Sequence, residues 1–146
     1  MKFQRHIPFV EMLGFELLKF EAGEAEIAVE LRDELCNSWS VAHGGLTMTL
    51  LDVAMAHAAR SPAPGETDAK PAGVVTIEMK TSFMRPGLGR LVAKARLLHG
   101  TASLAFCEAS VVDAKGALVA QATGTFKYLS GLPAGGRTIK RPNASD

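Results

Sequence analysis

One stretch of the chain, NSWSVAHGGLTMTLLDVAMAHAAR at residues 37–60, constrains the fold more than any other. After a turn-rich start it passes through His43-Gly44-Gly45 and continues as a helix-length run of Leu, Met, Ala and Val. Because this run is apolar on nearly all sides, it predicts a buried helix that other elements must surround. A single acid, Asp52, lies in its middle, where a carboxylate is costly unless it is paired or hydrogen-bonded. Asp52 is therefore the first candidate for a functional residue.

Size, charge and cysteine content restrict the class of protein. The chain has 146 residues, enough for one domain with a substantial core. Its 16 basic and 15 acidic residues create no strong field, so we expect neither nucleic acid nor a membrane as a partner. Cys36 and Cys107 have no metal or disulfide spacing, the N-terminus does not resemble a signal peptide, and no apolar run reaches about 18 residues. We therefore expect a cytoplasmic protein without a bound metal.

The segments around the central run predict a helix, a strand and a loop. Residues 7–20 mix apolar side chains with Glu and Lys and indicate a short helix interrupted at Gly14. Residues 24–31, EAEIAVEL, alternate with a period of two, which is typical of a strand with one solvated face. Residues 61–73 contain three prolines and two glycines and predict a loop. Such a long loop is either a functional lid or a solvated excursion, and the sequence leaves both open.

Four strand-like runs follow the loop, at residues 74–84, 90–98, 103–113 and 117–129. Short connectors that contain glycine separate them, which predicts antiparallel hairpins. One long helix with mainly antiparallel strands is an α+β arrangement, and the sheet must wrap the helix to cover its whole circumference. We predict a single domain over residues 1–129 and a loose tail over residues 130–146.

The spacing of these motifs resembles that of a known enzyme family. Asn37, His43-Gly44-Gly45 and Asp52, together with TIEMKTSFMRP at residues 76–86, resemble the hotdog-fold acyl-CoA thioesterases of the phenylacetate-pathway (PaaI-type) group. The order and spacing of elements agree from about residue 24 to residue 129. The resemblance implies the hotdog fold, an antiparallel sheet wrapped around one long central helix. It also implies hydrolysis of acyl-CoA thioesters without a metal or redox cofactor.

The resemblance implies a role for each matching residue. Asp52 would be the nucleophile or general base, and the amide of Gly45 at the helix start would donate to the thioester carbonyl. Asn37 would hold the attacking water or the carboxylate, and His43 would fix the loop or contact the carbonyl. Thr76 would place a hydroxyl near the acid. Elementary chemistry agrees, because a helix N-terminus supplies preformed donors for a developing oxyanion.

Structural interpretations stand beside these roles. Asp52 is alternatively a satisfied structural acid, and Asn37 and His43 are alternatively turn formers. His57 does not fit the family pattern, so we expect a core or interface histidine.

Two groups of residues are candidates to bind the substrate, and each also has a purely structural interpretation. Arg85, Arg90 and Lys127 are candidates to bind the CoA phosphates, although a solvated sheet face also explains such cations. Met48, Met55, Met79 and Met84 are candidates to line an acyl pocket, although methionine at such positions is more often core.

The length of the helix predicts a dimer. Gly45 and Asp52 are seven residues apart, or about 10 Å at a rise of about 1.5 Å per residue, so one thioester carbon cannot contact both on the same helix. Two antiparallel helices related by a two-fold axis would bring Gly45 of one chain beside Asp52 of the other. We therefore expect a homodimer with shared active sites. The family resemblance adds a homotetramer as a further assembly.

Two other functions remain open at this stage. A hotdog dehydratase or hydratase would also act on acyl thioesters. A resemblance to those enzymes would imply a Glu on the helix within a different motif, whereas this helix carries Asp52 after His43-Gly44-Gly45. A non-catalytic acyl-CoA binding protein would keep the fold, but binding alone gains nothing from a carboxylate in an apolar helix. The sequence does not decide whether the acyl group is aromatic or aliphatic, or whether the carrier is CoA or acyl carrier protein.

Overall fold

The computed structural model of the protein describes residues 1–66 and 73–129. The predicted tail at residues 130–146 and part of the predicted loop at residues 61–73 lie outside these ranges. The elements, in chain order, are α1 (Pro8–Leu13), β1 (Glu16–Glu21), β2 (Glu24–Glu30), a 3-10 turn (Asp33–Leu35), α2 (Gly44–Arg60), β3 (Val74–Phe83), β4 (Arg90–Gly100), β5 (Leu104–Val112) and β6 (Leu118–Tyr128).

The strands form one six-stranded antiparallel sheet in the order β1-β2-β4-β5-β6-β3. The long helix α2 packs against this sheet, and the buried apolar residues lie between the two layers. The predicted α+β class, with an antiparallel sheet around one long helix, is confirmed. Within the described residues, no helix combines the length and the apolar character that crossing a bilayer would require.

The prediction of a helix over residues 7–20 is wrong in its second half. Helix α1 ends at Leu13 because Gly14 has a φ of 75° and its amide donates back to the carbonyl of Glu11. The residues after Gly14 then form β1, a hairpin partner of β2. Pairing with a neighbouring strand decides this segment, since isolated propensity for LLKF does not distinguish helix from strand.

The predicted hairpin between the strands at residues 74–84 and 90–98 is also wrong. Strand β3 pairs with β6 at the far edge, and β4 pairs with β2 and β5. The amides of Met84 and Arg85 both donate to the carbonyl of Val119, which keeps the end of β3 on β6. The connector then passes the start of α2, where the amide of Ala42 donates to the carbonyl of Gly87. The β4–β5 and β5–β6 hairpins are confirmed.

Helix α2 is covered on one side only, so the prediction that the sheet covers its whole circumference is wrong for a single chain. We call its sheet-facing residues the covered face, and all of them have 0% exposure: Leu50, Leu51, Ala54, Met55 and Ala58. We call the opposite side the open face, whose residues are half-buried or exposed: Met48, Thr49, Asp52, Val53 and Ala56. Among the described elements, helix α1 and the edge strand β3 border the open face, where both contribute residues to a cavity beside Asp52.

Candidate active site

The start of α2 is fixed by His43. The Nδ1 atom of this residue accepts a hydrogen bond from the amide of Gly45 at 2.9 Å and so caps the helix. The amide of Gly44 makes no hydrogen bond with any described residue. A Cβ added at Gly44 would lie 3.6 Å from the ring of Phe83, an ordinary contact. Of the two glycine amides, only that of Gly44 is therefore open to an external acceptor.

Asn37 closes the loop that leads into this cap. Its Oδ1 accepts from the amide of Trp39 at 2.9 Å and from the amide of Val41 at 3.4 Å. The backbone N–H of Asn37 donates to the carbonyl of Val41 at 2.8 Å. Asn37 lines neither of the two cavities described below. Asn37 therefore closes the loop, and within the described residues it makes no hydrogen bond to Asp52.

Asp52 and Thr76 are in direct contact. The Oγ1 atom of Thr76 donates to Oδ1 of Asp52 at 2.6 Å, although the two residues lie on different elements, β3 and α2. The β3–β6 register shifts immediately after Thr76, between that residue and Glu78. Bulges of this kind re-aim the side chains beside them. The second carboxylate oxygen of Asp52 makes no hydrogen bond within the described residues. The acid is thus held at one oxygen and available at the other.

Two cavities adjoin the open face of α2. The larger, here called the acid cavity, has a volume of about 520 Å³ and is lined by Ile7, Phe9, Val10, Met48, Thr49, Asp52, Val53, Thr76 and Met79. The other, here called the glycine cavity, has a volume of about 390 Å³ and is lined by Phe9, Leu13, Glu34, Leu35, Cys36, His43, Gly45, Leu46 and Thr49. Gly45 and Asp52 line different cavities of the same chain, in agreement with their separation along the helix.

The three cations predicted to bind the CoA phosphates have different surroundings. Arg90 forms ion pairs with Glu16 and Glu30, each at 3.1 Å, so two carboxylates already balance its charge. Arg85 donates to the carbonyl of Leu118 at the end of β3. Lys127 is exposed next to the buried Phe126 on β6, so it points away from α2. Of the four methionines predicted as acyl-pocket candidates, Met48 and Met79 line the acid cavity, whereas Met55 is fully buried and Met84 lies at the surface.

His57 lies in the core, as predicted. Its Nδ1 donates to the carbonyl of Val53 at 2.7 Å, and its ring makes edge contacts with Phe3 and Phe20. Burial lowers the pKa of His57 to about 4, and the positive charges of Arg60 and Arg5 add to this effect. His57 is therefore a neutral core residue at physiological pH. Within the described residues, no group of three or more His, Cys, Asp or Glu side chains could hold a metal ion.

Two residues that line both cavities, Phe9 and Thr49, were not predicted as site residues. Phe9 lies on α1, and no sequence pattern indicates that this helix reaches the open face of α2. Thr49 is one turn beyond Gly45 in a run that was predicted to be buried throughout. A helical wheel placing Thr49 beside Asp52 is the only sequence signal that could have identified it.

Known proteins similar to this chain share one family and one architecture. Residues 40–120 match the family model of the thioesterase superfamily. The medium/long-chain acyl-CoA thioesterase YigI of Escherichia coli is 27% identical over 135 residues, which cover 85% of this chain and 87% of YigI. The conserved protein PA5202 of Pseudomonas aeruginosa has a TM-score of 0.77 at 31% identity, covering 86% of this chain and 97% of that one. A mutant of the phenylacetic acid degradation protein PaaI of Thermus thermophilus has a TM-score of 0.72 at 33% identity, covering 84% and 100%.

These similarities agree with the geometry. The family match begins in the loop before the helix cap and continues into β6, so it includes His43, Asp52 and Thr76. The six-stranded antiparallel sheet with one long helix is the architecture shared with the solved structures. The resemblance to the PaaI-type group is confirmed. The chain belongs to the thioesterase superfamily and is a thioester hydrolase with the hotdog fold.

Proposed function

We propose that the protein hydrolyses acyl-CoA thioesters to the free acid and CoA. The observation that carries this proposal is the 2.6 Å hydrogen bond from Thr76 to Asp52, at the edge of a cavity whose other lining is mostly apolar. A binding protein has no need of a positioned carboxylate, and a hydrolase does. The similarity to YigI, which is named as an acyl-CoA thioesterase, supports CoA as the carrier.

Asp52 is the reacting group in this mechanism. Thr76 fixes one carboxylate oxygen, and the other faces the substrate. As a general base, this oxygen removes a proton from a water molecule as the water attacks the thioester carbon. As a nucleophile, it attacks the carbon itself and forms an anhydride that water then hydrolyses. In both routes the tetrahedral intermediate expels the CoA thiolate, which takes up a proton, and the products are the same.

The donor to the thioester oxygen is the backbone amide of Gly44. The family resemblance implied the amide of Gly45 for this role. The N–H of Gly45 is already bonded to His43 Nδ1, whereas that of Gly44 has no partner among the described residues. Gly44 is the first residue of α2, so its N–H points out of the helix N-terminus, where partial positive charge favours an oxyanion. His43 accordingly orients the helix start and Asn37 fixes the loop before it.

A homodimer completes the site, because Asp52 and Gly44 of one chain lie too far apart to share a thioester. The open face of α2 and the edge strand β3 provide the surface for a second copy. Val75, Ile77 and Phe83 of β3 are each about half exposed, and the outer side of β3 has no partner strand among the described residues. Exposed apolar edges of this kind favour association. Cys36 and Cys107 are not joined in a disulfide, which fits a cytoplasmic location.

Substitutions at Gly44 test the mechanism with a matched control. His43 has φ −61° and ψ 137°, the conformation preferred before proline, and proline is favoured at the first position of a helix. Gly44→Pro therefore removes the N–H and keeps the helix start, and Gly44→Ala adds a Cβ but keeps the N–H. With a panel of aryl- and alkyl-CoA thioesters, we expect Gly44→Pro to lower kcat by about 10²–10³-fold and Gly44→Ala to stay near the wild type.

Mixed dimers test the shared site. A chain carrying Asp52→Asn and a chain carrying Gly44→Pro each have a strongly reduced kcat alone, but their heterodimer has one intact site. We expect activity to return when the two folded variants exchange subunits. Equal kcat values for Gly44→Pro and the wild type would disprove the oxyanion role, and exchanged heterodimers without activity would disprove the shared site. A wild-type protein that hydrolyses none of the CoA thioesters would disprove the proposed function.

A further inference from the structure

Helix α1 is anchored beside the two cavities that adjoin the open face of α2, even though it has only six residues. Val10 and Leu13 anchor it in the core. At its start, the carboxylate of Glu11 accepts from the amide of Ile7 at 3.2 Å. At its end, the guanidinium of Arg32 donates to the carbonyls of Met12 and Leu13 at 2.8 and 3.0 Å. These contacts satisfy backbone groups that a short helix leaves open, and so they fix the direction of its side chains.

Phe9 projects from this fixed helix to the boundary between the two cavities. Its side chain is 54% exposed, and it lines both the acid cavity and the glycine cavity. Thr49 lies on the α2 side of the same boundary and donates its hydroxyl to the carbonyl of Gly45 at 2.7 Å. That hydroxyl is engaged within the helix. The two side chains that both cavities share are therefore the ring of Phe9 on α1 and Thr49 on α2.

The acid cavity suits a hydrocarbon chain that is attached to a group reacting at Asp52. Beyond Asp52 and Thr76, its lining is almost entirely apolar and includes Met48 and Met79, which adapt their shape to a ligand. The glycine cavity shares Phe9 with the acid cavity and adds Leu13, Leu35 and Leu46, and Glu34 and His43 also line it. A chain that starts at Asp52 and grows in length therefore reaches the Phe9 ring before it reaches these leucines.

We propose that Phe9 is a specificity-determining residue that limits the length of the acyl chain this enzyme accepts. This inference rests on the proposed acyl-CoA hydrolysis and adds the feature that sets the substrate range. The acyl chain fills the acid cavity and ends against the ring. Removing the ring joins the two cavities and gives longer chains an apolar space. Enlarging the ring shortens the chain that fits.

The test compares straight-chain acyl-CoA substrates of increasing length. We expect Phe9→Ala to raise kcat/KM for long chains relative to short ones by at least about tenfold, since each newly buried methylene is worth about fourfold. Phe9→Trp should shift the preference to shorter chains. Met12→Ala is the matched control, because Met12 lies on the same helix, is 63% exposed and lines neither cavity. It should leave the length profile unchanged.

Binding of S-alkyl-CoA thioethers gives a second readout that does not depend on turnover. These compounds have no thioester to hydrolyse, so their dissociation constants show how binding affinity depends on the length of the alkyl chain. If the wild type hydrolyses no CoA thioester, the proposed function fails, and the thioether profiles of the wild type and Phe9→Ala still decide the role of Phe9. Identical profiles for these two proteins, an equal shift in Met12→Ala, or no binding of any thioether would each overturn the role proposed for Phe9.

Discussion

The two faces of helix α2 have similar composition but opposite surroundings. The covered face carries Leu, Ala and Met at full burial against the sheet, and the open face carries Met48, Val53 and Ala56 around Asp52. The covered face is satisfied within one chain. The open face combines half-exposed apolar side chains with the one acid of the helix. An apolar helix surface therefore has two uses, packing and the construction of a site, and substitutions should separate them.

The largest effect is expected on the open face. Asp52→Asn keeps the shape and can still accept the hydrogen bond of Thr76, but it removes the base or nucleophile. We expect kcat to fall by about 10²–10⁴-fold, with little change in the free energy of unfolding. Steady-state kinetics and denaturant titration measure the two quantities. The control is Asp113→Asn, because the carboxylate of Asp113 accepts from the backbone amides of Lys115 and Ala117 in a turn. Full activity in Asp52→Asn would show that another group performs the chemistry.

The covered face should behave in the opposite way. Leu50 has 0% exposure and belongs to the core cluster, so Leu50→Ala leaves a cavity between helix and sheet. We expect a loss of about 2–5 kcal/mol in the free energy of unfolding. At a temperature where the variant is folded, kcat should stay close to the wild-type value. A variant with full stability and a large loss of kcat would break the distinction between the two faces.

His57 extends the comparison to pH, because it is a buried titratable residue near the end of α2. Its pKa is about 4 in the folded protein and about 6.5 when unfolded, so the unfolded chain binds a proton that the folded chain refuses. His57 therefore does not reduce the free energy of unfolding above pH 6.5. As the pH decreases from 6.5 to 4, its proton uptake in the unfolded chain lowers this free energy by up to about 3 kcal/mol.

Denaturant titrations at several pH values measure this effect. The variant His57→Phe keeps an aromatic ring between Phe3 and Phe20 and cannot take up a proton. It should lose the dependence in that pH range. If the free energy of unfolding depends on pH equally in the wild type and in His57→Phe, other groups cause the acid sensitivity.

The smallest effect is expected at the hydrogen bond between Thr76 and Asp52. Thr76→Val keeps the shape and removes one bond to a carboxylate, a change of about 1.5–3 kcal/mol for a charged acceptor. We expect kcat/KM to fall by roughly tenfold to a hundredfold, and Thr76→Ser to restore it. Thr125→Val is a close control, because the hydroxyl of Thr125 on β6 also donates to a carboxylate, that of Glu78 on β3, at 2.7 Å. Comparable losses in both variants would indicate a general effect on the sheet.

The sequence predicts the local elements well and their partners less well. Helix α2 and strands β3 to β6 lie within two residues of their predicted bounds, because their periodicity and turn residues are local signals. Strand β1 was missed, since its strand character comes from pairing with β2. The β3–β6 pairing was missed because alternation reveals the faces of a strand but not its neighbour.

The site shows the same limit. The family resemblance predicted that the hydroxyl of Thr76 lies near Asp52, and in the structure the two side chains are hydrogen-bonded. Spacing did not show which glycine amide the His43 cap would occupy, because this depends on a side-chain hydrogen bond. It also did not reveal Phe9, because α1 reaches the open face only through its anchors in the folded core.

The position of β3 in the sheet has a consequence for how the protein is made. Val74 of β3 pairs with Tyr128 of β6, so the strand that carries Thr76 emerges from the ribosome well before its partner strand among the described residues. Strands β4 and β5 are synthesised between these two strands, and contacts between such distant segments form slowly. During synthesis, the edge of β3 that later pairs with β6 is thus exposed while the rest of the sheet assembles, a situation that exposes chains to aggregation. The strand that carries Thr76 gains its partner within the described sheet only after β6 has been synthesised.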